Sequence, residues 1–171
     1  MSGRAGEPGM DRYRETLLKV SSLSGPAIRD IVAALDPPEG SSGLDVGCGL
    51  GIDALELAAA VGPAGTVTGI DISTEFVEEA HRRAADAGLA AQLQFRQGDL
   101  SRLPFADGQF DWVWCRDVLW GHAPPPVASL RELARVVRPG GVAALVFWSS
   151  QVLLPGHPEL EARLMNAFTR T

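Results

Sequence analysis

The sequence predicts an α/β fold with a doubly wound, mostly parallel sheet. Short apolar segments of strand type alternate along the chain with segments of helical periodicity. Strands that are separated by helices pair in parallel, with the helices covering both faces of the sheet. The stretch "GLDVGCGLG" contains the first such strand and leads into the helix that follows it. A glycine-rich turn at that position is typical of α/β proteins that bind nucleotide-like ligands.

The composition indicates one folded domain. The chain has 171 residues, of which 46% are hydrophobic and 21% are charged, as in ordinary globular proteins. The formal net charge of -6 argues against nucleic acid as a partner, because no general basic field is present. The longest apolar run, Val142 to Trp148, is too short to cross a bilayer. The first ten residues lack the apolar core of a signal peptide. We therefore expect a cytoplasmic protein without a membrane partner.

Metal binding is not indicated by the cysteines. Only Cys48 and Cys115 are present, and no histidine lies near either at the spacing of metal ligands. We expect two buried, reduced thiols and no metal site.

Four regions are predicted along the chain. Residues 1–10 form a flexible tail, and residues 11–39 form two N-terminal helices. The two helical segments are "DRYRETLLKV" and "GPAIRDIVAAL", and "DPPEGSSG" ends the second. Residues 40–150 form the ligand-binding core, and residues 151–171 form the start of a C-terminal helical segment that looks truncated.

Strands and helices alternate through the core. The predicted strands are "GLDV", "GTVTGID", "QLQFRQGD", "FDWVWCR" and "GVAALVFW". Ser73 is the predicted N-cap of the helix that follows the second strand, and Pro126 lies near the start of the helix before the fifth. Apolar stripes are predicted on the first and last helices of the core: Ile52, Leu55, Ala58 and Ala59 on one, and Val127, Leu130, Ala134 and Val137 on the other.

The spacing of the glycines and of the nearby acids indicates which class of ligand the turn binds. Asp71 ends the second strand about 20 residues after the turn, where a carboxylate accepts hydrogen bonds from a ribose. The glycines follow the pattern GxGxG, whereas a dinucleotide site requires GxGxxG. Asp45 lies just before them, where it would repel a pyrophosphate but orient an ammonium group. Asp99 ends the third predicted strand and could accept a hydrogen bond from an adenine amine.

These motifs resemble class I S-adenosylmethionine-dependent methyltransferases over about residues 40 to 150. The similar segments are "LDVGCGLG", "GIDIS", "QGDLSRLPFADGQFDWVW" and "LARVVRPGGVAALVFW". The phrases "LPF.DG.FD" and "RVVRPGG" are most similar to the group that includes the ubiquinone and menaquinone C-methyltransferases. The resemblance implies a Rossmann-like sheet of order 3-2-1-4-5, S-adenosylmethionine as cofactor and S-adenosylhomocysteine as product.

The resemblance also implies roles for individual residues at the methionine end of the cofactor. Arg116, just past the fourth strand, would close this end, and Asp45 would lie near it. The lining would be formed by the glycine-rich turn, through Gly47, Cys48, Gly49 and Gly51.

The adenosine part of the cofactor would contact the next two strand ends. Asp71 would hold both ribose hydroxyls, and Ile72 would pack on the adenine. Asp99 and Leu100 would contact the edge of the base. Two ordinary structural roles stay open here: Asp71 could cap the following helix, and Asp99 could simply form a turn.

The acceptor side is predicted to follow the fourth strand, in "CRDVLWGHAPPP". His122 is a candidate general base there, although an ordinary loop histidine is the alternative. We expect Trp112, Trp114 and Trp120 to be core or pocket-wall residues. Motifs of nucleic-acid and protein-arginine methyltransferases are missing from this segment, so we expect a small organic acceptor. The attacked atom, oxygen, nitrogen or carbon, stays open.

The C-terminus departs from the family pattern, in which two more strands follow the fifth. Either the sequence is a piece of a longer chain, or another subunit, as in a homodimer, completes the sheet edge. Two other functions stay open. One is a catalytically silent cofactor-binding or interaction module, and the other is a nicotinamide-dependent oxidoreductase.

Overall fold

A computed structural model describes residues 8–119, 126–147 and Glu159 of the chain. The predicted tail lies largely outside these residues, and so do Trp120, His122 and nearly all of the C-terminal segment. Within the described residues the order of elements is α1 Pro8–Leu35, β1 Ser42–Val46, α2 Ile52–Val61, β2 Thr66–Asp71, α3 Thr74–Asp86, β3 Leu93–Gln97, β4 Phe110–Arg116, α4 Pro126–Val136 and β5 Val137–Val146.

The five strands form one parallel sheet of order β3-β2-β1-β4-β5. This confirms the predicted fold class and strand order. At the carboxyl end of β1, Val46 lies between Ile70 of β2 and Cys115 of β4. Strands β2 and β3 lie on one side of β1, and strands β4 and β5 lie on the other. The strand order therefore reverses between β1 and β4, and ligands of open α/β sheets bind at such a point. The loops after β1, β2 and β4 therefore meet at one edge of the sheet.

The sheet ends at β5 within the described part of the chain, and most residues of that strand are exposed. The suggested completion of this edge by further strands or by a second subunit stays a prediction. None of the helices in the described ranges is both long enough and apolar enough to cross a membrane.

The expectation of two N-terminal helices is wrong, because residues Pro8–Leu35 form the single helix α1 with Pro26 in its interior. A proline inside a helix removes one backbone hydrogen bond and costs about 3 kcal/mol. Packing against the sheet and α2 offsets this cost. Ile28 and Val32, which follow the proline, are buried at 6% and 4% exposure in the same cluster as Leu57 of α2. Burial of these side chains thus keeps α1 continuous at Pro26, where the local sequence favours a helix end.

Two apolar clusters pack on opposite faces of the sheet. The first unites α1, α2 and α3 with the tryptophans of β4, and the second unites α4 with the alternate strand residues. The predicted stripes on α2 and α4 are wrong in register. The buried apolar residues of α2 are Ala54, Leu57, Ala58 and Val61, and those of α4 are Leu133 and Val136 with Ser129 beside them. On both helices two overlapping stripes are apolar enough to satisfy the helical period, so periodicity alone could not choose.

Trp112 and Trp114 are fully buried core residues, as expected. The Trp112 ring lies directly over Gly43 of β1, and its Nε1 donates to Ser41 Oγ at 2.9 Å. A Cβ on Gly43 would lie 2.0 Å from the ring atom Cζ2. The absence of a side chain at residue 43 is thus what allows the indole to lie flat against β1.

Replacing Gly43 by alanine should therefore destabilise the fold. We expect Gly43→Ala to lower the free energy of unfolding by about 2 kcal/mol, since over-packing a close-packed core has about that cost. Urea denaturation followed by circular dichroism measures the change. In a Trp112→Leu background the same substitution should cost less, because the overlapping ring is gone. Equal costs in the two backgrounds would show that the ring contact is not the cause.

Candidate functional site

The glycine-rich turn between β1 and α2 owes its shape to left-handed backbone. Gly47, Gly49 and Gly51 have φ values of 72°, 51° and 74°, a region that residues with a Cβ enter only at a cost. The amides of Gly47 and Cys48 donate to the carbonyl of Ile70 at 2.8 and 3.0 Å. The turn is thus attached to the end of β2, and its conformation is fixed before any ligand binds.

The three glycines differ in what surrounds them. A Cβ on Gly51 would lie 2.9 Å from Ala80 Cβ and 3.1 Å from the Phe95 ring, so this glycine lets α2 begin close against α3 and β3. The nearest side-chain atom to a Cβ on Gly49 would be Leu17 Cδ1, at 3.9 Å. Gly49 therefore faces the least crowded space of the turn, which suits close approach of a ligand.

Asp71 connects the turn to the start of α3. Its Oδ2 accepts from the Gly49 amide at 2.8 Å, and its Oδ1 accepts from the Ser73 amide at 2.9 Å. Burial raises the pKa of Asp71 above its ordinary value, and the backbone amides of Ser73, Gly49 and Ile72 partly oppose this rise. A carboxylate has about four acceptor sites, so the three amides leave Asp71 able to accept from a hydroxyl as well. The cap of α3 is therefore Ser73 and not Asp71, but Asp71 holds the capping residue in place and keeps capacity for a ligand.

The two residues after Asp71, Ile72 and Ser73, were also given roles by the sequence. Ile72 is 69% exposed, although isoleucine is among the residues that are most often buried. Ser73 is the N-cap of α3, as predicted, since its Oγ accepts from the Phe76 amide at 3.3 Å.

Asp45 is the most unusual polar group of the site. Its side chain is 2% exposed, and among the described residues its Oδ2 has no hydrogen-bond partner. Burial raises the pKa of Asp45 well above its ordinary value, the Asp53 and Asp71 carboxylates raise it further, and Arg116 lowers it. A buried oxygen without a partner is costly. A ligand that brings a donor or a positive charge to Asp45 would remove that cost.

Arg116 lies in the same region and is held by an acidic residue that the sequence analysis did not single out. Its Nε and Nη2 donate to Oδ2 and Oδ1 of Asp53 at 2.6 and 3.0 Å. Trp114 Nε1 donates to Asp53 Oδ2 at 3.0 Å. Asp53 follows the glycine-rich turn in the first turn of α2, where its charge also suits the helix dipole. That position was the only signal for it in the sequence.

The cysteines are free and buried, as expected. Burial raises the pKa of Cys48 far above its ordinary value and raises that of Cys115 to about 12. Both thiols are therefore protonated at neutral pH and behave as small apolar groups.

Asp99 and Leu100 lie beyond β3, the neighbour of β2. Asp99 Oδ1 accepts from the Ser101 amide at 2.7 Å, so Asp99 does form a turn, and Leu100 is buried. The segment that follows is attached to α4 by Arg135, which donates to the carbonyls of Leu103 and Phe105. Asp99 is thus presented on a well-anchored turn, one strand away from Asp71.

Helix α1 approaches the site, which the sequence did not predict. The Tyr13 ring stacks on Phe76 of α3 with centroids 5.8 Å apart, and Arg14 forms an ion pair with Glu75 at 2.9 Å. Burial, then the nearby charges of Asp71 and Asp117, raise the pKa of Tyr13. Tyr13 and Leu17 therefore lie on the side of α1 that faces the turn and the end of β2.

The described residues thus bring together the glycine-rich turn, Asp45, Asp71 and Arg116 at the carboxyl ends of β1, β2 and β4. The buried acid and the arginine suit the two charged groups of an amino acid, and the exposed Ile72 suits a planar base. This donor set fits a cofactor that joins an amino acid to a nucleoside. Residues 120–125, which include His122 and Trp120, lie outside the described part of the chain.

Comparison with known proteins gives a family match. The model of the family described as "Methyltransferase domain" matches residues 44–141. The 27-O-demethylrifamycin SV methyltransferase of Amycolatopsis mediterranei is 40% identical over 119 residues, which are 70% of this chain and 42% of that protein. The demethylmenaquinone methyltransferase of Desulfitobacterium hafniense is 35% identical over 113 residues, which are 65% of this chain and 44% of that protein. The chain therefore spans less than half the length of these curated relatives.

Two solved structures have the same fold. A SAM-dependent methyltransferase from Aquifex aeolicus matches with a TM-score of 0.68 and 26% identity, over 78% of this chain and 70% of that one. The [4+2]-cyclase SpnF matches with a TM-score of 0.64 and 34% identity, over 70% of this chain and 43% of that one.

The buried carboxyl of Asp45, whose Oδ2 has no partner among the described residues, predicts an unusual dependence of stability on pH. Its pKa in the fold is raised above the ordinary 3.8, so the fold holds this proton more tightly than the unfolded chain does. Its contribution to stability is therefore greatest below the ordinary pKa and is lost as the pH rises through the raised pKa. We expect Asp45→Asn, which removes the charge, to raise the melting temperature of the ligand-free protein at about pH 8, and the gain to shrink towards about pH 4.

Asp111 supplies a control, because its contribution to stability should change with pH in the opposite direction. The Ser42 amide and Arg138 lower its pKa, so its contribution is present above the ordinary pKa and is lost as the pH falls through the lowered value. Asp111→Asn should therefore lower the melting temperature at neutral pH and have little effect in acid. Melting curves across this pH range measure both variants. A stabilising effect of Asp45→Asn that did not change with pH would contradict the account.

Proposed function

Because the chain belongs to the methyltransferase-domain family, we propose that it transfers a methyl group from S-adenosylmethionine to a small organic acceptor. The observation that carries this proposal is the buried Oδ2 of Asp45 beside the glycine-rich turn, which has no hydrogen-bond partner within residues 8–119, 126–147 and Glu159. A cationic group next to this oxygen would satisfy it, and the neighbouring residues suit a nucleoside.

At the methionine end, Asp45 orients the ammonium group of the cofactor and Arg116 closes the site. The turn formed by Gly47, Cys48, Gly49 and Gly51 lines this part. The hydrogen bonds from the turn to Ile70 and Asp71 support these roles, because they fix the backbone in advance and so reduce the entropy lost on binding.

At the adenosine end, Asp71 accepts hydrogen bonds from the ribose hydroxyls and Ile72 packs on the adenine. Asp99 and Leu100 contact the edge of the base. The exposure of Ile72 supports its role, since a planar base would cover an apolar surface that is otherwise in water.

When bound, S-adenosylmethionine supplies a methyl group on a positively charged sulfur. The contribution of the chain is to hold that group in line with the attacking atom and to exclude water, and such positioning supplies much of the rate of a two-reactant step. The relatives named for a rifamycin and a demethylmenaquinone support a small organic acceptor. Whether the attacked atom is oxygen, nitrogen or carbon stays open, as does the role of His122 as a base. We also propose a cytoplasmic location.

One comparison favours a second candidate function. SpnF has this fold and 34% identity to the chain, yet it is named a [4+2]-cyclase. The site could accordingly bind the cofactor without transferring its methyl group. Methyl transfer to any acceptor would exclude this alternative.

Calorimetric titration with S-adenosylhomocysteine tests the proposed function, with NAD as the control ligand. We expect one-to-one binding of S-adenosylhomocysteine at micromolar concentration and no binding of NAD. Binding of NAD alone would instead support a nicotinamide-dependent oxidoreductase and overturn the proposal.

The ribose role of Asp71 is tested by Asp71→Ala. The substitution removes one or two charge-assisted hydrogen bonds, so the affinity for S-adenosylhomocysteine should fall about tenfold or more in the same titration. Ser73→Ala is the matched control, because it removes the cap of α3 and leaves the Asp71 carboxylate in place. The control should bind within about twofold of the unchanged protein. An equal loss in both variants would mean that Asp71 acts only by holding the start of α3.

A further inference from the structure

Asp53 joins α2 to β4 through three hydrogen bonds. It is 7% exposed and accepts from Trp114 Nε1 at 3.0 Å, from Arg116 Nε at 2.6 Å and from Arg116 Nη2 at 3.0 Å. Two of these donors belong to one planar guanidinium. A bidentate contact of this kind fixes the plane of the guanidinium as well as its position.

The orientation that results turns the other edge of Arg116 towards the end of β4 and Asp117. Nε and Nη2 face Asp53, whereas Nη1 lies 3.6 Å from Asp117 Oδ2, beyond the end of β4. The Arg116 side chain is only 16% exposed. The N–H groups that Asp53 does not bind are thus directed towards the loop edge of the sheet in a site largely shielded from water.

The unpartnered oxygen of Asp45 lies in the same region. β1 and β4 pair so that Val46 is beside Cys115, and the chains continue from there into the glycine-rich turn and Arg116. Arg116 is also close enough to Asp45 to lower the pKa of that carboxyl. Asp45 is paired with Trp114 and Arg116 lies two residues further along β4, so one acid and one arginine near the ends of paired strands match the ammonium and carboxylate groups of an α-amino acid.

We propose that Asp53 is a positioning residue, which holds Arg116 so that its remaining N–H groups bind the carboxylate of the cofactor's methionine part. The site thereby distinguishes S-adenosylmethionine from its decarboxylated form. This inference rests on the proposed function and adds to it a determinant of specificity. A purely structural Asp53 would instead support Trp114 and α2 with equal effect on every ligand.

Titration calorimetry with S-adenosylmethionine and decarboxylated S-adenosylmethionine tests the proposal, since the two probes differ only in the carboxylate. The unchanged protein should bind the complete cofactor more tightly. In Asp53→Asn, an amide nitrogen replaces one acceptor and opposes a guanidinium N–H, so the guanidinium is released. The ratio of the two affinities should then fall about tenfold, with most of the loss on the complete cofactor.

A double-mutant cycle separates positioning from direct contact. Because Asp53 acts through Arg116, Asp53→Asn should not change the affinity ratio further in an Arg116→Gln background. The double variant carries neither charge, so it also serves if the single variant does not fold. Its affinity ratio should equal that of Arg116→Gln alone. Asp111→Asn is the matched control, since it also breaks an aspartate–arginine pair but lies at the opposite end of β4. Its affinity ratio should equal that of the unchanged protein.

Three results would overturn the proposal. An equal loss of affinity for both probes in Asp53→Asn would show a structural role alone. An unchanged protein that binds S-adenosylmethionine no better than the decarboxylated form would refute the carboxylate contact and leave the proposed function standing. Failure of the unchanged protein to bind either probe would overturn the proposed function together with this inference.

Discussion

The constraint around which this site is built is a buried carboxylate oxygen that has no hydrogen-bond partner in the part of the chain that the structure describes. Asp45 is the last residue but one of β1, the central strand, and it is only 2% exposed. Leaving such a group unsatisfied costs about 1–3 kcal/mol, and more if it is charged. The fold tolerates that cost at the edge of the sheet where three loops meet. The most economical explanation is a ligand whose positive group completes the site.

The surrounding structure keeps this position available. Asp71 joins the glycine-rich turn to the start of α3, and Asp53 joins the start of α2 to β4. Each acid uses hydrogen bonds to set the direction of another group, in one case a backbone amide and in the other a guanidinium. The site is therefore organised mainly by carboxylates that hold the donors around them, and the Oδ2 of Asp45 is an oxygen that has no such partner among the described residues.

Local sequence features predicted much of this fold and part of the site. The strands and the Ser73 cap were readable because each depends on neighbouring residues or a short spacing, whereas the strand order followed from the resemblance to a family. Asp53 was missed because its partner Arg116 is 63 residues away, and nothing local marks the pair. The single helix α1 was missed because distant packing offsets the Pro26 penalty. The stripe on α4 was misassigned because its apolar residues fit two registers. The ligand roles of the site residues stay predictions.

The most direct test is a crystal structure of the chain with S-adenosylhomocysteine, and the distance to measure joins the amino nitrogen of the ligand to Asp45 Oδ2. The account predicts a hydrogen bond of about 2.7–2.9 Å, as is usual between an ammonium group and a carboxylate. A ligand bound with its amino group in solvent, and Asp45 Oδ2 still without a partner, would contradict the claim that this oxygen defines the site.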